Sequence, residues 1–197
     1  MFLNDEEKRM LNGEMGIVPQ KCMEYLRDEG EAAGAECLID LDGTADFHTP
    51  MTAMSYRYQF GIEELRKLVE SGARFKVPVF ANKSPFLEGK VTCVHGWKGC
   101  GMAPHNEEEY HERCMQKEFM DLYRKMGMMT IHSCDYYLAS TYWPTKGQHC
   151  AWNESSALPW VNAVLGARSN IDGNFASAFL GKAPAYGFHL DENRYAT

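Results

Sequence analysis

Reactive and polar side chains gather at a few places in this chain, and each gathering admits a chemical and a purely structural reading. Cys134 directly follows an apolar run, in IHSCDYY. A thiolate where a strand meets a loop can ligate iron or zinc or act as a nucleophile, whereas a buried thiol there is simply a small hydrophobe. The segment WPTKGQHCAWNESSALPW sets Lys146, Gln148, His149, Asn153, Glu154, Ser155 and Ser156 ahead of an apolar stretch. Glu and Ser at such a place cap a helix. An acid beside hydroxyls also suits proton transfer or the binding of a substrate hydroxyl.

Four further groups stand out. His48, Thr52, Ser55, Tyr56 and Arg57 share DFHTPMTAMSYRY, a binding loop or a solvated one. Asn82, Lys83 and Ser84 follow the strand-like VPVFA; they can present amide and ammonium donors to a carboxylate or phosphate, or make an ordinary turn. Arg168 and Asn170 lie past an apolar helix, where Arg168 can bind a carboxylate or cap helix carbonyls. Cys93, His95, Cys100, His105, His111 and Cys114 fall in one irregular stretch. Their spacings match no paired zinc knuckle, so a zinc module ranks last and a polar surface insertion near 86–115 is preferred.

The elements that must position these groups alternate. Helices are expected at 5–12, from about Pro19 to Glu31, at 60–72, at about 116–126, and over ESSALPWVNAVLGA, the last kinked or beginning near Pro159. A short helix is expected over FASAFLG. Strands are expected over ECLIDL, read as buried, and over RFKVPVFA, MMTIHS and AYGFHL, while 43–56 reads as polar loop. This rhythm argues for mixed α/β architecture.

Composition narrows the classes. The 197 residues are 45% hydrophobic and 24% charged, values of a globular chain able to bury its own core. Acids outnumber bases 27 to 20, a net charge of −7, which argues against nucleic acid and anionic membrane as partners. The start, MFLNDEEKRM, turns acidic at once, unlike a secretory signal. Seven unevenly placed cysteines point to a reducing, cytoplasmic compartment.

The assembled motifs resemble the aconitase X family. They are GQHCAWNESSALPWVNAVLGARSN with HSCDYY before it and YGFHLDENR after, together with LNGEMG, HTPMTAMSYRYQFGIEEL and KVPVFANKS. The likeness covers nearly the whole chain outside 86–115. It implies an aconitase-like α/β domain, with 1–197 as the amino-terminal part of a catalytic domain. It also implies an iron-dependent hydro-lyase that removes water from a hydroxy acid by means of an iron–sulfur cluster or mononuclear iron. On that resemblance Cys134 is the first cluster cysteine, Glu154 and Ser155 are catalytic, and Ala53, Met54, Ser55, Asn82 and Lys83 bind substrate; Arg168 joins the substrate-binding candidates on its residue type and position alone. Ala53-Met54 stand where the family has Gly-Val, and Lys83 where it has Pro. The resemblance further implies a small swivelling-domain subunit and a carboxy-terminal half as partners. A ligand-binding subunit without activity is the alternative. The expectation that separates the readings is geometric: segments 52–56, 82–84 and 153–156 should meet at one pocket with Cys134 at its floor.

Overall fold

The structure, a computed structural model, describes residues 1–47, 61–82, 118–131, 136–139 and 142–191. Helix α1 (Asp5–Leu11) begins on a reciprocal cap: Asn4 Oδ1 accepts the Glu7 N–H and Glu7 Oε2 accepts the Asn4 N–H, both at 2.9 Å. Two donors that any helix start leaves without partners are thereby satisfied. Helix α2 (Ile17–Ala33) buries Val18, Cys22, Met23, Leu26 and Gly30 along one stripe and ends at Gly34, whose φ of 74° suits a residue without Cβ. It starts two residues before Pro19, because a proline in the first helical turn displaces no intrahelical donor.

A three-stranded parallel sheet forms the centre, in the order β2 (Ala45–Phe47), β3 (Val79–Asn82), β4 (Met128–Ile131). Helix α3 (Ile62–Glu70) lies between β2 and β3 in sequence, and the helical stretch α4, described over 118–125, precedes β4. Ala45 pairs with Val79 and Val79 with Met128, so the three strands run in step. Single bridges prolong the parallel arrangement: Ala45 to Ala151, then His149 to Arg168 and Trp152 to Ile171. A separate antiparallel pair joins β1 (Leu38–Asp40) to β5 (Lys182–Pro184).

Alternation along the strands separates two cores. Val79, Ala45, Phe47 and Ala151 face a large apolar core with α2, α3 and α7 (Phe175–Leu180), whereas Phe80, Cys150 and Trp152 face a smaller one with α5 (Tyr136–Ala139) and α6 (Ala157–Ala163). The larger core is aromatic at its middle. The Phe175 ring lies 5.3 Å from Tyr123, 5.5 Å from Phe75 and 6.3 Å from Phe47, centroid to centroid. In the smaller core Trp152 stacks on Trp160 at 6.4 Å. Among the described residues no helix is long and apolar enough to cross a membrane.

Three sequence expectations are corrected. The stretch 43–56 contains a central strand, β2, whose Ala-Asp-Phe is fully buried; a three-residue strand with an acid at its middle leaves no alternation to detect. ECLIDL is an edge strand, with Asp40 exposed and held by Lys182 Nζ at 2.5 Å. AYGFHL is no strand: the strand lies earlier, at β5, and Gly187–His189 form a 3-10 turn because His189 is drawn inward by side-chain bonds. The insertion near 86–115, with its Cys and His residues, lies outside the described residues.

Phe175 is fully buried among four aromatic rings. Phe175→Ala should therefore lower unfolding stability by about 3–5 kcal/mol in a urea titration, the range for emptying a large aromatic site. A loss under about 1 kcal/mol would show that this cluster is not the core.

Candidate functional site at the carboxyl edge of the sheet

Parallel strands deliver their carboxyl ends to one edge, and the register here fixes what arrives there. Phe47 pairs with Ala81 and Asn82 with Ile131. Because Ala151 is level with Ala45, Asn153 and Glu154 emerge at the same edge, two strand positions from β3. At the usual strand spacing that places the backbones of Asn82 and Glu154 roughly 10 Å apart across the rim. Crevices beyond strand carboxyl ends are where open α/β sheets bind ligands.

The rim stands on a buried carboxylate. Asp46 has no exposed surface. Its Oδ1 accepts the Asn153 N–H at 2.5 Å, and its Oδ2 accepts the Glu154 N–H at 3.4 Å. Burial pushes its pKa up to about 8. The two backbone donors work against the shift, while the nearby Glu154 and Asp172 carboxylates add to it. Gly173 presses against the same place: a Cβ there would lie 2.4 Å from Asp46 O and 2.7 Å from Asn153 N. Asn153 Nδ2 in turn donates to Gly173 O at 2.6 Å.

Glu154 is itself 7% exposed, and Ser155 Oγ donates to its Oε1 at 3.2 Å. The helix-capping reading of this segment fails for Ser156, which occupies the N-cap of α6 without making a side-chain cap bond. The Glu154 carbonyl begins that helix by accepting from Ala157 and Leu158 N–H at 3.1 and 2.9 Å. The arrangement therefore offers a nearly buried acid, oriented by a hydroxyl, at a polar rim.

Arg168 sits elsewhere. Its backbone is level with His149, at the other end of the 149–152 segment from Glu154, and its guanidinium donates to His189 O at 3.4 Å. Ala53, Met54, Ser55, Lys83 and Cys134 lie outside the described residues. The topology fixes only their starting points: 53–55 follow β2, Lys83 follows β3 and Cys134 follows β4. Asp46, Asp172, Gly173 and His189 escape a reading of the sequence. Nothing local distinguishes Asp46 from a loop acid or Gly173 from a loop glycine.

Among the described residues no group of three His, Cys, Asp or Glu side chains is placed to hold a metal ion. Two of the described cysteines, Cys22 and Cys150, also lack the character of ligands. Burial raises the thiol pKa of Cys22 well above its ordinary value and that of Cys150 to about 12, which disfavours the thiolate that metals bind.

This edge-sited arrangement on a parallel α/β sheet has known relatives. Residues 1–192 match the family described as "Aconitase X first domain", and the chain belongs to that family. It is 39% identical over 202 residues to the phosphomevalonate dehydratase large subunit of Thermococcus kodakarensis, a match spanning 100% of this chain and 45% of that protein. It is 28% identical over 193 residues to the cis-3-hydroxy-L-proline dehydratase of Pseudomonas aeruginosa, spanning 96% of this chain and 30% of the other. The crystal structure of Thermococcus kodakaraensis aconitase X in its holo-form superposes with a TM-score of 0.68 at 37% identity, covering 100% of this chain and 45% of that one. The chain thus spans less than half the length of these relatives.

Two consequences are measurable. An Asp46 whose pKa rises from its ordinary 3.8 to about 8 on folding binds more protons folded than unfolded. Its contribution to stability is complete below about pH 4 and is lost as pH rises through about 8. Asp46→Asn should flatten the fall in stability between those limits, by at most about 1.4 kcal/mol per pH unit. An unchanged slope would remove Asp46 as its source. Gly173→Ala should cost about 1–3 kcal/mol in denaturant unfolding, since its Cβ meets backbone atoms that cannot swing aside.

Proposed function

We propose that this chain carries part of the active site of an iron-dependent hydro-lyase that removes water from a small hydroxy acid. The observation that supports the reading most is the shared carboxyl edge, where Asn82 ends β3 and the nearly buried Glu154, with the exposed Ser155 bonded to it, leaves the parallel segment on the far side of β2. Membership of a family with two kinds of dehydratase among this chain's relatives supports the reaction class.

In this reading Glu154 moves a proton to or from the substrate hydroxyl or the departing water, its carboxyl oriented by the Ser155 hydroxyl that donates to Oε1. Ala53, Met54, Ser55, Asn82 and Lys83 supply amide, hydroxyl and ammonium donors for the acid end of the substrate. Arg168 is given no part in substrate binding. An iron–sulfur cluster or mononuclear iron, with Cys134 among its ligands, would supply a Lewis acid for the substrate hydroxyl. A small swivelling-domain subunit and a carboxy-terminal half complete the proposed assembly. Free thiols at Cys22, Cys37 and Cys150 accord with a reducing, cytoplasmic setting.

The test uses protein purified anaerobically from its host together with whatever chains accompany it. Phosphomevalonate and cis-3-hydroxyproline are offered separately, and the dehydrated product is followed by mass spectrometry. The expected result is turnover of a hydroxy acid that Glu154→Gln lowers by about a hundredfold or more, with an unchanged circular dichroism spectrum. Equal turnover by the variant would take Glu154 out of the chemistry. A colourless, iron-free preparation that turns over neither acid would favour a ligand-binding subunit.

A further inference from the structure

At the other end of the 149–152 segment three side chains stand in line. His189 Nε2 lies 2.6 Å from Asp172 Oδ2, and His189 Nδ1 lies 3.0 Å from His149 Nδ1. Asp172 and His189 have fully buried side chains, whereas His149 is half-buried and reaches solvent. The rings are 5.3 Å apart and inclined by 38°.

Proton counting sets a limit on this contact. A neutral His189 that gives its Nε2–H to Asp172 has a bare Nδ1, so His149 must donate from its own Nδ1. One added proton is tolerated on either ring, because the other ring can still present a bare Nδ1. A second added proton puts N–H against N–H between two cations. The contact therefore survives with at most one imidazolium.

We propose that His149 and His189 form a proton-operated latch that docks segment 186–190 on the arm 168–172. The latch is closed while the pair carries no more than one added proton and is opened by the second. The rest of the docking consists of contacts indifferent to pH in this range. Asn170 Nδ2 donates to Tyr186 O at 2.9 Å, Asn170 Oδ1 accepts the Phe188 N–H at 2.9 Å, and Arg168 donates to His189 O.

The surroundings oppose the second proton. The pKa of His149 is lowered chiefly by burial, then by His189 and by Arg168, against a weaker pull from Asp42 and Asp172. Asp42 Oδ1 accepts the His149 N–H at 2.6 Å. Around Asp172 the neighbours felt electrostatically are Glu29 of α2, Asp46, Tyr186 and Cys150. A histidine whose pKa is lowered by folding contributes stability that is present above its ordinary value of about 6.5 and is lost as pH falls below it. The latch does not depend on Glu154 being catalytic.

The test is amide hydrogen exchange of the peptide spanning 186–190, with protection corrected for the intrinsic pH dependence, between about pH 7.5 and about pH 5 around the ordinary histidine value. Protection there should fall at least tenfold on acidification relative to that of α2, which reports the pH dependence of the domain as a whole. In His149→Gln the half-buried amide can still bond to His189 and takes up no proton, so protection relative to α2 should stay level across the range. Ring-nitrogen NMR supplies the second readout. The proposal is overturned if wild-type protection is insensitive to pH, if His149→Gln falls as steeply as wild type, or if both rings are cationic while protection persists.

Discussion

A carboxylate that never meets water holds the rim of this domain together. Asp46 lies between Ala45 and Phe47, which face the apolar core, and turns to the opposite face of the sheet. There it accepts the amides of Asn153 and Glu154, with Gly173 pressed against it. A full charge in that position carries a large desolvation cost, which is what raises the Asp46 pKa to about 8. The chain directions of three segments remote in sequence follow from this contact, as does the place where Glu154 leaves the sheet.

The two faces of the sheet divide the work. On one side Phe47, Phe75, Tyr123 and Phe175 meet mostly edge to face or tilted, with α2 and α7 closing over them, and burial of that apolar surface supplies most of the stability. On the other side buried polar groups fix positions. Asn162 brackets Ser169, its Nδ2 donating to Ser169 O at 2.9 Å and its Oδ1 accepting the Ser169 N–H at 3.0 Å, much as a neighbouring strand would. Ser169 Oγ accepts the Trp152 N–H at 2.8 Å and also contacts Asp172 Oδ1 at 3.2 Å. A network satisfied in this way adds little net stability, but it admits few alternative arrangements.

The legible parts of the sequence were those with local signals. The helices α1, α2, α3, α4 and α7 showed acids at a start, apolar residues three and four apart, or a closing glycine. The strands β3 and β4 showed as short apolar runs. β2 was illegible because a buried acid breaks its apolar run, and the acid is there for amides supplied from 107 and 108 residues away. The turn at Gly187–His189 was illegible for the same reason: an apolar AYGFHL reads as strand until His189 is bound to Asp172. At the candidate site, Glu154 and Ser155 stood out from the density of polar groups and from the family resemblance. Asp46 and Gly173, which place them, have meaning only in three dimensions.

The arm 168–174 explains why so many polar residues are buried next to a rim that needs accuracy. Arg168, Ser169, Asn170, Asp172 and Asn174 each bond to a different partner: the 189 carbonyl, the 152 amide, the 186 carbonyl, the 189 ring and the Ser177 amide. Apolar residues of similar size would pack there with less desolvation cost. They would leave the arm free to slide along 149–152, where only two isolated bridges set its register. A slide of one residue would carry Gly173 away from Asp46 and bring a side chain against the Asn153 amide, so the polar bonds act chiefly as register pins for the turn that presents Glu154.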